Sequence, residues 1–116
     1  MKLPEPKEWE EWAKNEMKHF EKEYPSLCIR QIRGKINFKK QGTTILDIYF
    51  KSFHFNPSKN LKLFLVNPTP LLIKKYDLIK LPDEKDNTHE FLIDTEKDNG
   101  FQEAHSLLLE FIKEKM

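Results

Sequence analysis

The chain has 116 residues, of which 38% are apolar, 34% charged and 12% aromatic, with a net charge of +1. That length suits one domain around one core, and an aromatic share that includes nine Phe excludes a disordered chain. A single Cys excludes an internal disulfide framework, and near-neutrality excludes strong indiscriminate affinity for nucleic acid.

Pro4 and Pro6 suit an extended entry into a helix over residues 4–24. Trp9, Trp12, Ala13, Met17, Phe20 and Tyr24 recur at three- and four-residue steps and form one apolar stripe. Pro25 ends the helix, because its ring disfavours helical geometry at Tyr24. The period then shortens toward two. Leu27 and Ile29 alternate in one phase and Ile32, Ile36 and Phe38 in the other, which predicts one strand with a bulge or a fresh start at Arg30-Gln31-Ile32. Lys39-Lys40-Gln41-Gly42 reads as a hairpin turn. Thr44 to Phe55 follows as a second strand with Leu46, Ile48 and Phe50 on one face, and a twist or bulge near Ser52 where the parity passes to Phe53 and Phe55.

Asn56-Pro57-Ser58-Lys59-Asn60 is a turn by composition. Leu61, Leu63 and Leu65 make a third strand, closed by Asn67-Pro68-Thr69-Pro70. Leu71-Leu72-Ile73 fits either a short strand or one helical turn, and Tyr76 to Leu81 a short strand. Residues 82–87 form a solvated loop, and His89 to Asp94 an edge strand. Asp98-Asn99-Gly100 introduces a final helix over Phe101 to Lys115, with a stripe of Phe101, Ala104, Leu108 and Ile112 widened by Leu107 and Phe111. The expected architecture is a single α+β domain over residues 1–116. A helix, an antiparallel meander of three to five strands and a second helix follow in order, both helices on one sheet face.

The charge is unevenly spread. Residues 1–23 carry five Lys against seven Glu, residues 24–80 eleven Lys or Arg against Asp47 and Asp77, and residues 81–116 four Lys against ten acids. On the first strands the parity opposite the core holds Arg33, Lys35, Lys39, Tyr49 and Lys51; Arg30 and Lys40 flank this set and Lys62 extends it. A sheet face of that kind binds phosphates, with Tyr49 available for base stacking, or meets an acidic protein patch.

Other chemistry is sparse. His19, His54, His89 and His105 are scattered with no ligand spacing, so no metal or other cofactor is expected. Cys28 has no local His to activate it, and Gly34, Gly42 and Gly100 belong to no phosphate-cradling loop. The expectation is a non-enzyme. The longest apolar run is four residues, Leu63 to Val66, far below a membrane span. No apolar segment at Met1 to Pro6 suits a secretory signal, so the expected location is the cytoplasm.

Two passages carry resemblances. Leu46-Asp47-Ile48-Tyr49-Phe50, then Phe53-His54-Phe55-Asn56-Pro57-Ser58-Lys59 and Leu61-Lys62-Leu63-Phe64, resembles the sheet of the ubiquitin-conjugating-enzyme superfamily and its RWD relatives. Those enzymes carry a His-Pro-Asn segment and then the catalytic Cys after the third strand, where this chain has Asn67-Pro68-Thr69-Pro70 and no later Cys. The resemblance therefore implies a non-catalytic protein-binding module, an adaptor or subunit whose partner is a component of a ubiquitin-like pathway or an acidic protein surface. Trp9-Glu10-Glu11-Trp12 and Phe101-Gln102-Glu103-Ala104-His105-Ser106-Leu107-Leu108 are similar to the Alu-domain proteins of the signal recognition particle, which implies RNA binding on a basic sheet face. An open sheet face or edge also invites homo-oligomerisation.

Overall fold

The computed structural model describes residues 6–50, 61–82, 87–95 and 97–116. Helix α1 (Pro6–Glu23) leads into β1 (Cys28–Ile32), β2 (Lys35–Lys40), β3 (Thr43–Tyr49) and β4 (Lys62–Val66). Helix α2 (Pro70–Tyr76), β5 (Ile79–Lys80), β6 (Thr88–Leu92) and α3 (Gly100–Lys115) complete the order. The six strands form one antiparallel sheet in the order β1-β2-β3-β4-β6-β5. The α+β class and the flanking helices agree with the sequence pattern.

Each element has a local cause. The chain turns after α1 through Tyr24 N–H to Phe20 O (2.8 Å) and Leu27 N–H to Tyr24 O (3.0 Å), with Pro25 between them. Thr69 caps α2 by accepting from Leu72 N–H, Pro70 fills the first helical turn, and Asp77 closes the helix in the left-handed conformation with φ 52°. Gln41 (φ 52°) and Gly42 (φ 79°) are both left-handed, the two-residue turn whose twist matches its strands.

Two open alternatives resolve and two expectations change. The phase shift around Arg30-Gln31-Ile32 resolves as a fresh strand start rather than a bulge, and it comes through a hairpin: Ile32 pairs with Lys35 across Arg33 and Gly34, and Gly34 supplies a φ of 71°. One expected strand thus becomes two, which accounts for six strands. Lys39 and Lys40 belong to β2, and only Gln41 and Gly42 turn. Of the two readings of Leu71-Leu72-Ile73 the helical one holds, because Thr69-Pro70 is a helix start; the helix runs on to Tyr76, and the strand expected from there is confined to Ile79 and Lys80. His89 lies on an interior strand, since β6 sits between β4 and β5 and the edge is β5. The expected features at Ser52, Phe53, Phe55 and the turn at Asn56 to Asn60 lie outside the described residues, as does most of the loop over residues 82–87.

The true bulge sits in the second hairpin. Phe38 pairs with Leu46 but Lys39 with Thr44, leaving Ile45 as the extra residue of β3. Consecutive Ile45 and Leu46 are consequently both buried, and Thr44 and Asp47 share the other face.

All three helices lie on one face of the sheet. Phe20 of α1 meets Phe38 edge-on at 6.0 Å, and Tyr76 of α2 meets Phe91 at 6.2 Å. Helix α3 buries Ala104, Leu107, Leu108, Phe111 and Ile112 in the same cluster as Ile36, Phe38, Leu46, Ile48, Leu63 and Leu65. It is tied to α1 by the Trp12–Phe101 ring pair and to α2 by Thr69 N–H and Oγ1 on Glu114 (both 3.0 Å). No helix among the described residues is long and apolar enough to cross a membrane.

Two glycines separate strain from crowding. A Cβ on Gly42 would meet nothing within 4 Å, whereas one on Gly100 would fall 1.9 Å from Asp94 O. Gly42→Ala is expected to cost about 1 kcal/mol through the left-handed backbone alone. Gly100→Ala should cost about 2–3 kcal/mol because backbone must move aside. Urea unfolding of both variants checks this, and equal losses would contradict it.

Candidate functional site

Directly paired residues in an antiparallel sheet share a face, so the register defines the surface opposite the helices. One cross-strand row is Ile32, Lys35, Tyr49, Lys62 and Leu92; the next is Arg30, Asn37, Asp47, Phe64, Glu90 and Ile79. Cys28, Lys39 and Thr44 begin a third. Together these rows make the outer face.

The centre of this face is aromatic. Tyr49 and Phe64 lie diagonally across β3 and β4 with ring centroids 4.8 Å apart. Around them stand exposed apolar side chains: Ile32 is 43% exposed, Leu92 54% and Ile79 62%.

Two of the lysines, Lys35 and Lys62, are answered by acids on the same face. Lys35 Nζ lies 3.5 Å from Asp47 Oδ1, donates to Tyr49 Oη at 3.4 Å and sits 5.2 Å from the Tyr49 ring centroid. Burial pulls the Lys35 pKa down, but the Asp47 carboxylate and the Tyr49 phenol outweigh it and hold the ammonium above its ordinary range. Asn37, only 4% exposed, donates through Nδ2 to Asp47 Oδ1 (2.8 Å) and Thr44 Oγ1 (3.2 Å). Lys62 Nζ lies 3.5 Å from Glu90 Oε1.

The predicted basic set therefore divides. Lys35, Tyr49 and Lys62 occupy adjacent positions of one row, and Lys39 and Arg30 lie beyond them toward β1. Arg33 is exposed in the first hairpin turn. Lys40 does not belong with these: it faces the helices and donates to the Lys115 carbonyl at the end of α3, because strand alternation after Phe38 and Lys39 returns it to the inner side. Lys51 and His54 lie outside the described residues. Phe64, Asp47 and Glu90 complete the face. Phe64 was legible from the leucine parity of β4, whereas the contribution of Glu90 depends on β6 pairing with β4.

Titratable groups gather in two other places. Glu16 is 4% exposed, and both its carboxylate oxygens meet His105 Nδ1, at 2.7 and 2.8 Å. The His19 and His105 rings meet edge-on with centroids 5.5 Å apart. Burial pushes the Glu16 carboxyl above its ordinary value, opposed by His105 and then His19. On α3, Glu110 accepts from Lys75 (2.8 Å) and from Tyr76 Oη, which lowers its pKa; burial and then Glu110 raise that of Tyr76. Both clusters tie helices together. Among the described residues no group of three or more His, Cys, Asp or Glu is arranged to hold a metal ion, and Cys28 is an exposed free thiol on β1.

No family model, curated protein or solved structure matches this chain.

The Glu16 environment has a pH signature. Its raised folded value means the folded chain binds this proton more tightly than the unfolded chain. The resulting stabilisation is present at low pH and is lost as pH rises through the raised value. Glu16→Gln should therefore flatten the stability–pH profile above the ordinary carboxylate range, read by urea unfolding at a series of pH values. A variant profile as steep as the wild type would contradict this origin.

Proposed function

We propose that this chain is a non-catalytic protein-interaction module whose contact surface is the outer sheet face. The observation that carries the reading is that all three helices pack on one side, leaving the Tyr49–Phe64 pair and exposed Ile32, Ile79 and Leu92 without a covering element among the described residues. An aromatic centre with apolar and paired polar surroundings has the composition of a protein interface. Lys35 and Lys62 already have Asp47 and Glu90 as partners, so they offer phosphates less than their number suggests.

The reading follows the resemblance to RWD-like or inactive conjugating-enzyme-like domains, with the chain acting as an adaptor or subunit in a cytoplasmic assembly. Helix α1 followed by the β1–β4 meander supports that likeness. The α2, β5 and β6 segment adds to the pattern without following from it.

Phe64→Ala should weaken partner binding by about thirtyfold, as loss of an interface anchor worth about 2 kcal/mol does. It should remove only about 1 kcal/mol of stability with the ring pair. Affinity capture from source cells, followed by titration of the captured protein and of ubiquitin-like proteins, measures the first and urea unfolding the second. Equal binding by wild type and variant would overturn the assignment of the face. Capture of RNA, with affinity falling steeply as salt rises, would replace the reading with an RNA-binding one.

A further inference from the structure

The sheet has two edges, and they are unlike. Strand β5 is two residues long, ends in Lys80 and is followed within two residues by Pro82, so it offers little to an incoming strand. Strand β1 runs for five residues, Cys28-Ile29-Arg30-Gln31-Ile32, with no Pro, Lys or bulge, and four of the five are exposed. Among the described residues nothing pairs with its free side.

One bond sets the hydrogen-bonding phase of that edge. Phe50 N–H bonds to Gly34 O, so the backbone groups of Gly34 point toward β3 and those of Lys35, Asn37 and Lys39 toward β1. Their partners Ile32, Arg30 and Cys28 are therefore the residues engaged with β2. The N–H and C=O groups of Ile29 and Gln31 face outward.

Charge says what could pair there. Neither β1 nor its hairpin contains an acidic residue. On the outer side, Arg30 is paired across the ladder with Asn37, Lys39 lies opposite Cys28, and Arg33 stands at the turn. Among the described residues no acid forms an ion pair with any of these three, and the nearest acid on the face, Asp47, is engaged by Asn37 and Lys35. On the inner side, half-buried Ile29 packs against the core and Gln31 Nε2 donates to Glu10 of α1 at 3.3 Å. A second copy of β1 paired about Arg30 would set that arginine against its own copy, which is unfavourable.

We infer that the β1 edge is the entry point for an extended acidic segment of a protein partner, which adds as a seventh strand beside Ile29 and Gln31. Alternate side chains of that strand point to opposite faces, so its acidic residues lie on the outer side next to Arg30, with Arg33 at the turn and Lys39 one strand further in, and its apolar ones on the inner side beside Ile29. This rests on the reading of the chain as a protein-binding module and specifies how the partner engages it.

Gln31→Pro tests the backbone directly. Its N–H is not used in the β1–β2 ladder, so proline there should block strand addition while leaving the sheet intact. Random short peptides displayed on phage are selected against the full chain. The selected peptides are then titrated by fluorescence anisotropy against wild type, Gln31→Pro, Arg30→Glu and Phe64→Ala. Selected sequences should alternate acidic and apolar residues. Gln31→Pro, with wild-type circular dichroism and unfolding midpoint, should bind them at least about tenfold more weakly, a loss of about 1.4 kcal/mol. If Gln31→Pro does not fold, Arg30→Glu decides, by exchanging the preference for acidic peptides with one for their lysine counterparts. The inference is overturned if no peptide is selected, if selected peptides are not acidic, or if both edge variants bind them as wild type does. It is equally overturned if sedimentation shows a wild-type dimer that Gln31→Pro dissociates, because the edge then belongs to a second copy. Peptides that survive the edge variants but are lost with Phe64→Ala would sink the edge while sustaining the protein-binding reading. An empty selection together with an empty affinity capture would remove both.

Discussion

Phe38 pairs with Leu46 while Ile45 bulges out of register beside it, and the two-sidedness of the molecule depends on that irregularity. A regular β3 would alternate strictly, placing Ile45 and Leu46 on opposite faces. The extra residue lets both enter the core and resets the phase, so that Ile48 and Phe50 follow inward while Asp47 and Tyr49 turn outward. Phe20 then closes over Phe38 from α1, and α3 covers the remaining apolar rows.

The helices reinforce that sidedness through polar ties. Thr69 with Glu114, Lys75 and Tyr76 with Glu110, and Glu16 with His105 join α2 to α3 and α1 to α3. Each uses a side chain that would otherwise be the obvious candidate for chemistry. A buried carboxylate against an imidazole resembles an acid–base pair, and here it fastens α1 to α3.

The outer face is shaped by cross-strand diagonals. Lys35 with Asp47, Lys62 with Glu90 and Tyr49 with Phe64 are all one row apart on neighbouring strands, the separation at which long or aromatic side chains still interact. Such pairing turns a lysine-bearing surface into a mixed one with an aromatic middle. Among the described residues of this face, the cations without an acidic partner stand toward β1, at Arg30, Arg33 and Lys39. The aromatic centre and the basic edge are thus separate features of one face, the first suited to burial against a partner and the second to orienting it.

Periodicity alone determined both long helices, the inward parity of Leu46, Ile48, Leu61, Leu63 and Leu65, and the outward placement of Lys35, Tyr49 and Lys62, because side-chain direction repeats locally along helix and strand. The hairpin at Arg33-Gly34 was masked by apolar residues on both sides, which continue an alternation whether or not the chain reverses. Lys40 was misplaced for a similar reason: whether Lys39 and Lys40 turn or pair depends on how far β2 extends alongside β3. Tertiary structure decided which charges are neutralised, since Asp47 and Glu90 reach their lysines across strand pairings, and Glu90 comes from a strand 28 residues after Lys62 in the chain. It also decided which strands form the edges among the described residues. Order within a sheet follows from how β6 inserts between β4 and β5, a long-range contact that no local pattern encodes.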